Sequence, residues 1–227
     1  SAGSIFWYQR LPRVLLGLLA GGGLALAGAS FQALLRNPLA TPYTLGVSGA
    51  GALGASLALW LPALDRSWGP LSGPALMAWL FALADVALVA RLARGGRGGI
   101  RRDTLLLAGV TLGLICSAAI LGVRYLVSPD LLVEMDRWLM GGLTVGGWRE
   151  PALVLPLYLP AAAALLLLAR AFNHLAFGER TARARGIDPG RVQRIAFLAG
   201  SLLTASIVSI TGPIGFVGLL VPHGVRL

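Results

Sequence analysis

The sequence predicts an all-α fold, a polytopic transmembrane helical bundle of about six spans, and three observations lead to it. Apolar residues make up 56% of the 227 residues, whereas only 12% are charged, about half the share found in soluble proteins. Several apolar runs approach the roughly 20 residues that a helix needs to cross a bilayer. Within these runs polar and apolar residues do not alternate, as they would in the strands of a membrane barrel.

The six predicted spans leave five connecting segments of different character. The first connection contains an Asn-Pro and a Thr-Pro pair, the third and fifth are rich in arginine, and the fourth carries four of the nine acidic residues. Helices are expected in all spans because lipid cannot satisfy exposed backbone groups. We predict one transmembrane domain over residues 1–227. The predicted spans are residues 14–35, 44–62, 71–90, 104–127, 151–169 and 195–221.

Glycine is abundant, with 31 residues, many of them inside the predicted spans. In lipid, small residues four positions apart form a helix face that lets a second helix approach closely. Three such faces are predicted to be helix contacts. They are formed by Gly17 and Gly21, by Gly46, Ala50 and Gly54, and by Gly109, Gly113 and Ser117.

Arginine supplies all 19 basic residues of the chain. The arginines cluster between apolar runs and are not interleaved with aromatic residues, so we predict no binding of nucleic acid. The positive-inside rule places the most basic loops in the cytoplasm, and both ends of the chain then face outward. These loops hold Arg36, Arg91, Arg94, Arg97, Arg101, Arg102, Arg170, Arg180, Arg183, Arg185, Arg191 and Arg194.

The residues needed for catalysis or metal binding are missing from the sequence. His174 and His223 lie far apart without an H-E-x-x-H motif, and Cys116 is the single cysteine. A metal site needs several ligands at workable spacing, so no metal and no cofactor is predicted. The chain has no lysine, which excludes a P-loop ATPase site. We therefore predict a protein that is not itself an enzyme.

Asp85 lies inside the third predicted span and allows two interpretations. An acidic residue at membrane depth is a candidate for function, so Asp85 could be the ion-coupling residue of a secondary transporter. The interpretation we prefer is that Asp85 lies near the basic end of its helix, hydrated or paired with Arg91 or Arg94.

Two breaks in apolar sequence point to transport. Residues 36–42 contain Pro38 and Pro42, and residues 212–215 read Gly-Pro-Ile-Gly. Proline and glycine interrupt helices, and non-helical backbone at membrane depth is tolerated only inside protein or beside a water-filled pathway. Residues 11–45 and 193–227 each combine a helix of small residues with a break containing proline, and would run in opposite directions as a faint inverted repeat.

Seven motifs in order make the sequence similar to one family. Together they resemble the FecCD-type permeases of ABC importers, which take up ferric siderophores, haem or cobalamin. The motifs are residues 10–13, Gly28-Ala29-Ser30-Phe31-Gln32, residues 36–42, Leu45-Gly46-Val47-Ser48, residues 137–141, residues 175–179 with Ala182, Arg183 and Gly186, and residues 212–223.

The resemblance implies a permease subunit in the bacterial inner membrane, crossing it several times. Its expected partners are two cytoplasmic ATP-binding subunits, a periplasmic binding protein, a second permease copy (identical or paralogous) and the lipid bilayer. ATP hydrolysis would take place in the partner subunit. Family members have about ten spans, so this chain is expected to lack the first span and the last three.

The resemblance also assigns roles to particular residues. Arg10 and Arg13 correspond to arginines that dock the binding protein. Residues 171–194 correspond to the cytoplasmic segment that couples the permease to the ATPase, with Leu175, Gly178, Glu179, Ala182, Arg183 and Gly186 as contact residues. Arg101, Asp103 and Thr104 correspond to the place where the pathway narrows. The motif residues with a structural role are Asn37, Pro38, Gly212, Pro213, Gly215, Pro222 and His223.

Overall fold

The computed structural model describes residues 2–67, 69–94 and 101–226, and these ranges form helices and turns without an extended strand. The predicted all-α bundle is thereby confirmed. A π-helical turn of Phe6–Arg10 joins the first two helices. The helices are α1 (Ala2–Ile5), α2 (Leu11–Leu35), α3 (Val47–Trp60), α4 (Gly73–Leu92), α5 (Arg102–Leu126), α6 (Pro129–Met140), α7 (Arg149–Leu167), α8 (Ala169–Ala176), α9 (Glu179–Ala184), α10 (Pro189–Thr211) and α11 (Val217–Gly224).

Within the described part of the chain, five helical stretches are long and apolar enough to cross a membrane. The predicted second span is shorter than expected: α3 has 14 residues because the chain forms turns up to Gly46 before the helix starts. The five stretches are Gly3–Leu35, Gly73–Leu92, Arg102–Leu126, Arg149–Leu167 and Pro189–Thr211.

Long-range contacts define two ends of the bundle. At the arginine-rich end, which comprises residues 36–46, 93–94, 101 and 168–188, Arg102 forms a 2.8 Å ion pair with Glu179. At the opposite end, which comprises residues 61–67, 69–72, 127–148 and 212–216, the Gly142 N–H donates to Thr211 O at 2.7 Å. The loops predicted to share one side of the membrane therefore do lie together. Arg97 lies outside the described residues.

The predicted last span, residues 195–221, is present as α10, but it starts six residues earlier and ends ten residues earlier than predicted. Helix α10 ends at Thr211, and residues 212–216 reverse the chain, with positive φ at Gly212 (67°) and at Phe216 (66°). Helix α11 then runs back along α2, and Arg226 donates a hydrogen bond to Gln32 Oε1. The described C-terminal residues thus lie at the arginine-rich end. The prediction that both ends of the chain face outward is therefore wrong.

Helices α2 and α10 form the centre of the bundle and run in opposite directions. The rings of Phe31 and Phe197 lie 6.3 Å apart between them, and both side chains are almost fully buried. A Cβ added to Gly200 would lie 2.7 Å from the Phe31 ring, so glycine at this position is what allows the two helices to pack closely. Helix α7 packs on one side of this pair, and α3, α4 and α5 pack on the other.

The predicted small-residue faces are partly correct. A Cβ on Gly54 would overlap the backbone of Met77, and one on Gly109 would lie 2.6 Å from Leu45 Cα, so these glycines do make close contacts. Gly21 has no neighbour within 4 Å among the described residues. The tight contact of α2 lies instead at Gly28.

Candidate coupling surface, gate and docking arginines

The segment of residues 171–194, named the coupling segment after its predicted role, is folded around a small core of its own. Leu175 and Ala182 are buried, at 5% and 0% exposure, and pack with Val192. Ile187 and Phe172 cover this cluster. Of the predicted contact residues, Leu175 and Ala182 therefore hold α8 and α9 against α10 and present no surface to a partner.

Gly186 ends α9 by a defined backbone motif. Its φ is +77°, its N–H donates to Arg183 O at 2.9 Å, and the next N–H, that of Ile187, donates to Ala182 O at 3.0 Å. This pair of bonds is the Schellman motif, in which the residue after the cap adopts the left-handed conformation that glycine favours. The predicted role of Gly186 thus has a backbone explanation.

Replacing Gly186 by alanine is expected to destabilise the end of α9 by about 1 kcal/mol, because alanine is strained at positive φ. Gly186→Asn should cost less, since asparagine tolerates this conformation better. Limited proteolysis between residues 184 and 188 of the purified protein measures the effect. Equal cleavage of the alanine and asparagine variants would contradict this explanation.

Glu179 lies between two arginines and joins the coupling segment to α5. Its Oε1 accepts from Arg102 Nη2 at 2.8 Å, and its Oε2 lies 3.5 Å from Arg183 Nη2. Gln193 Nε2 also approaches Oε1, at 3.5 Å. Arg102 was not among the predicted site residues, although its neighbours were, and a single sequence does not reveal which arginine of such a run reaches the acid.

A second link connects the segment to α2. Arg36 adopts the left-handed conformation (φ 50°) at the end of α2, and its Nη2 donates to Leu175 O at 2.5 Å. A guanidinium at the carboxyl end of α8 also interacts favourably with the helix dipole. Arg36 and Arg102 therefore connect α8 and α9 to α2 and α5.

The outward face of the coupling segment combines one aromatic residue with arginines. Phe177, between α8 and α9, is 79% exposed. Arg180, Arg183 and Arg185 are also exposed, and Gly178 bends the chain next to Phe177 with φ +116°. Phe177 lies within the motif of residues 175–179 but was not among the predicted contact residues. The sequence indicated it only as an aromatic residue in an arginine-rich connection.

The predicted gate residues lie at the start of α5. Arg101 precedes the helix, and its N–H donates to Ala93 O at 2.9 Å. Asp103 is exposed in the first turn, where a negative charge favours the helix dipole. Thr104 is half-buried beside it. These residues are neighbours of the coupling segment through the Arg102–Glu179 ion pair.

Arg10 and Arg13 lie towards the opposite end of the bundle. Both are exposed, and the intervening Pro12 is buried. Within the described ranges neither arginine has an acidic partner within 4.0 Å. Arg10 closes the π-helical turn, an irregularity that often marks functional positions.

The motif residues with a predicted structural role differ in what they contact. Asn37 Oδ1 accepts from the Leu39 N–H at 3.0 Å and stabilises the turn that contains Pro38. A Cβ on Gly212 would lie 2.5 Å from Trp138 O, and Pro213 contacts Gly141. Gly215 has open space around it, Pro222 is buried, and His223 is exposed.

Asp85 lies near the arginine-rich end of α4, next to Gly46, as the preferred interpretation predicted. The rest of that interpretation is wrong, because Asp85 is 6% exposed and forms no ion pair with Arg91 or Arg94. Its Oδ2 has no hydrogen-bond partner among the described residues. Over the same ranges, no group of three or more His, Cys, Asp or Glu side chains is placed to hold a metal ion.

Five helices long and apolar enough to cross a membrane, within the described residues, together with broken helices and a basic, folded connecting segment, define a multi-pass membrane protein. A sequence model of the FecCD transport family matches residues 1–227, and the chain belongs to this family. It is 41% identical to the ferric enterobactin transport system permease protein FepD of Escherichia coli (strain K12), covering 96% of this chain and 64% of FepD. It is 34% identical to the hemin transport system permease protein HmuU of Yersinia pestis, covering 96% of this chain and 65% of HmuU.

The fold also matches a solved structure. This is an inward-facing conformation of a metal-chelate type ABC transporter, with a TM-score of 0.84 and 32% sequence identity over 98% of this chain and 69% of that chain. The chain spans less than two thirds of the length of FepD and HmuU. None of these relatives is described as an ion-coupled carrier.

Proposed function

We propose that this chain is part of the permease subunit of an ATP-driven importer, which moves a metal chelate such as a ferric siderophore, haem or cobalamin into the cytoplasm. ATP binding and hydrolysis take place in a partner subunit at the arginine-rich end. The observation that carries the proposal is the coupling segment, a folded unit with an exposed face that is tied to two transmembrane helices.

The contacts of Arg36 and Arg102 give the coupling segment a physical connection to the transmembrane helices. A partner that moves Phe177 and the arginines around it pulls on α2 through Arg36 and on α5 through Arg102. Packed helices change position as units, so a small displacement is passed along the bundle. Arg101, Asp103 and Thr104, at the start of α5, would then move with the coupling segment and open or close the pathway at the cytoplasmic side.

The pathway is proposed to lie between two permease copies, with α5 at its edge. Helix α5 is the least buried of the described spans. In its most apolar stretch of 18 residues 22% is buried, compared with 72% for α10. Leu107, Leu114 and Leu121 are each about two thirds exposed along one side of it. A continuous apolar face along a helix is expected to contact lipid or another helix.

The proposal is tested by reconstituting the full-length protein in liposomes with its ATP-binding subunit and binding protein. ATP hydrolysis and uptake of chelate are measured together. The expected result is hydrolysis that rises with loaded binding protein and falls when Phe177 is replaced by Asp. Uptake driven by an ion gradient without any ATP-binding subunit would overturn it.

Reversing the charge of both docking arginines, Arg10→Glu with Arg13→Glu, is expected to lower hydrolysis stimulated by the binding protein about tenfold. Exposed charges at the rim of an interface chiefly affect association with an oppositely charged partner. The control is Arg66→Glu, an exposed arginine at the same end of the bundle. An equal loss in the control would show a general effect of charge and contradict a docking site at Arg10 and Arg13.

A further inference from the structure

Asp85 is a carboxylic acid buried in the interior of the bundle. Asp85 belongs to α4, and its carboxylate faces the start of α3. A Cβ added to Gly46, the residue before α3, would lie 2.8 Å from Asp85 Oδ1 and 3.2 Å from Oδ2. The carboxylate thus lies directly beside the backbone from which α3 starts.

The start of α3 lacks the acceptors that a helix normally has. Gly46 has no side chain, and no side-chain hydrogen bond caps α3. The first helical bond runs from the Ala50 N–H to Gly46 O at 2.9 Å, so the N–H groups of Val47, Ser48 and Gly49 precede the hydrogen-bond ladder. Val47 and Ser48 are buried, at 0% and 1% exposure, so bulk water does not serve these groups.

A buried carboxylate without a partner is costly, and a helix start without an acceptor is also costly. Each of these features offers what the other lacks, because the amino end of a helix carries a partial positive charge. Asp85 Oδ2 remains without a partner among the described residues. No other acidic or basic side chain of the described ranges is ion-paired with Asp85.

We propose that the carboxyl group of Asp85 serves as the N-terminal cap of α3, supplied by the neighbouring helix in place of the side chain that Gly46 lacks. Asp85 is thereby a positioning residue. It fixes Leu45 and Gly46 against α5, where a Cβ on Gly109 would lie 2.6 Å from Leu45 Cα. The inference does not depend on which cargo is transported.

The cap predicts the sign of a stability change. Asp85→Leu keeps roughly the volume of the side chain and removes both acceptor oxygens, and it should lower the Tm of the purified full-length protein by about 2–4 °C. Hydrogen exchange at residues 47–49 should become about fivefold faster. Asp65→Leu, at an exposed position in the opposite loop, is the control. An unchanged or higher Tm for Asp85→Leu would show a buried acidic group without a capping role and overturn the proposal.

Restoring a cap on α3 itself provides the second test. Gly46→Asn alone should be harmful because its Cβ meets the Asp85 oxygens and the backbone oxygen of Gly109. In the Asp85→Ala background the contact with the carboxylate is gone and the contact with Gly109 O, at 3.0 Å, remains. Asparagine should then slow exchange at residues 47–49 relative to Asp85→Ala alone, since it is a good cap and tolerates positive φ. Gly46→Ala in the same background meets the same Gly109 oxygen without supplying an acceptor. Equal recovery with alanine and asparagine would reduce the contact to a steric one and refute the cap.

Discussion

Replacing Gly28 by alanine should destabilise the protein by about 3 kcal/mol or more, the upper range for overpacking a closely packed site. A Cβ at this position would overlap the carbonyl oxygen of Gly218, and backbone atoms cannot turn away as a flexible side chain can. Helices α2 and α11 would have to separate. Thermal unfolding of the full-length protein should show a Tm lower by about 10 °C.

The matched control lies two turns earlier on the same helix. Gly21 has no neighbour within 4 Å among the described residues, so Gly21→Ala should leave the Tm unchanged or raise it slightly through helix propensity. A Gly28→Ala protein as stable as the Gly21→Ala protein would mean that α2 and α11 do not approach as closely as described.

Reversing the charge of Glu179 is expected to abolish most of the coupling between ATP hydrolysis and uptake, by about tenfold or more. Glu179→Arg places a third cation beside Arg102 and Arg183 and breaks the tie between the coupling segment and α5. Folding should be affected little, because ion pairs that are partly exposed contribute at most about 1 kcal/mol. Uptake per ATP hydrolysed is the quantity to measure.

The charge swap Glu179→Arg with Arg102→Glu separates coupling from a general effect of charge. The swap recreates an ion pair between α9 and α5, so part of the uptake should return. Glu134→Arg makes the same charge change at an exposed position of α6, at the opposite end of the bundle, and should leave uptake intact. No recovery in the double variant, or an equal loss with Glu134→Arg, would contradict the role of this pair.

The sequence was sufficient for the class of fold. Long apolar runs leave helices as the structure in which the backbone can satisfy itself in lipid, and the order of motifs around residues 36–42 and 212–223 led to the family to which the chain belongs. The arginine-rich connections were also grouped correctly, since Arg36, Arg102 and Glu179 do meet at one end of the bundle.

Hydrophobicity did not reveal where helices stop inside an apolar run. Residues 212–221 are as apolar as a span, yet the chain turns at Gly212 and sends α11 back along α2. The break was visible as Gly-Pro, but the direction of the chain after it depends on φ at Gly212 and Phe216 and on the contact with Gly28. Spacing alone likewise favoured Gly21 over Gly28.

The sequence by itself determined that this protein is a helical membrane bundle with a basic, connecting segment, because composition and periodicity are set by the solvent that each segment meets. Only the tertiary structure decided which polar side chains find partners. It paired Arg102 with Glu179, buried Leu175 and Ala182, and placed Asp85 at the start of α3 and away from Arg91. These contacts depend on which faces of distant segments come together, and such distances are not encoded in local pattern.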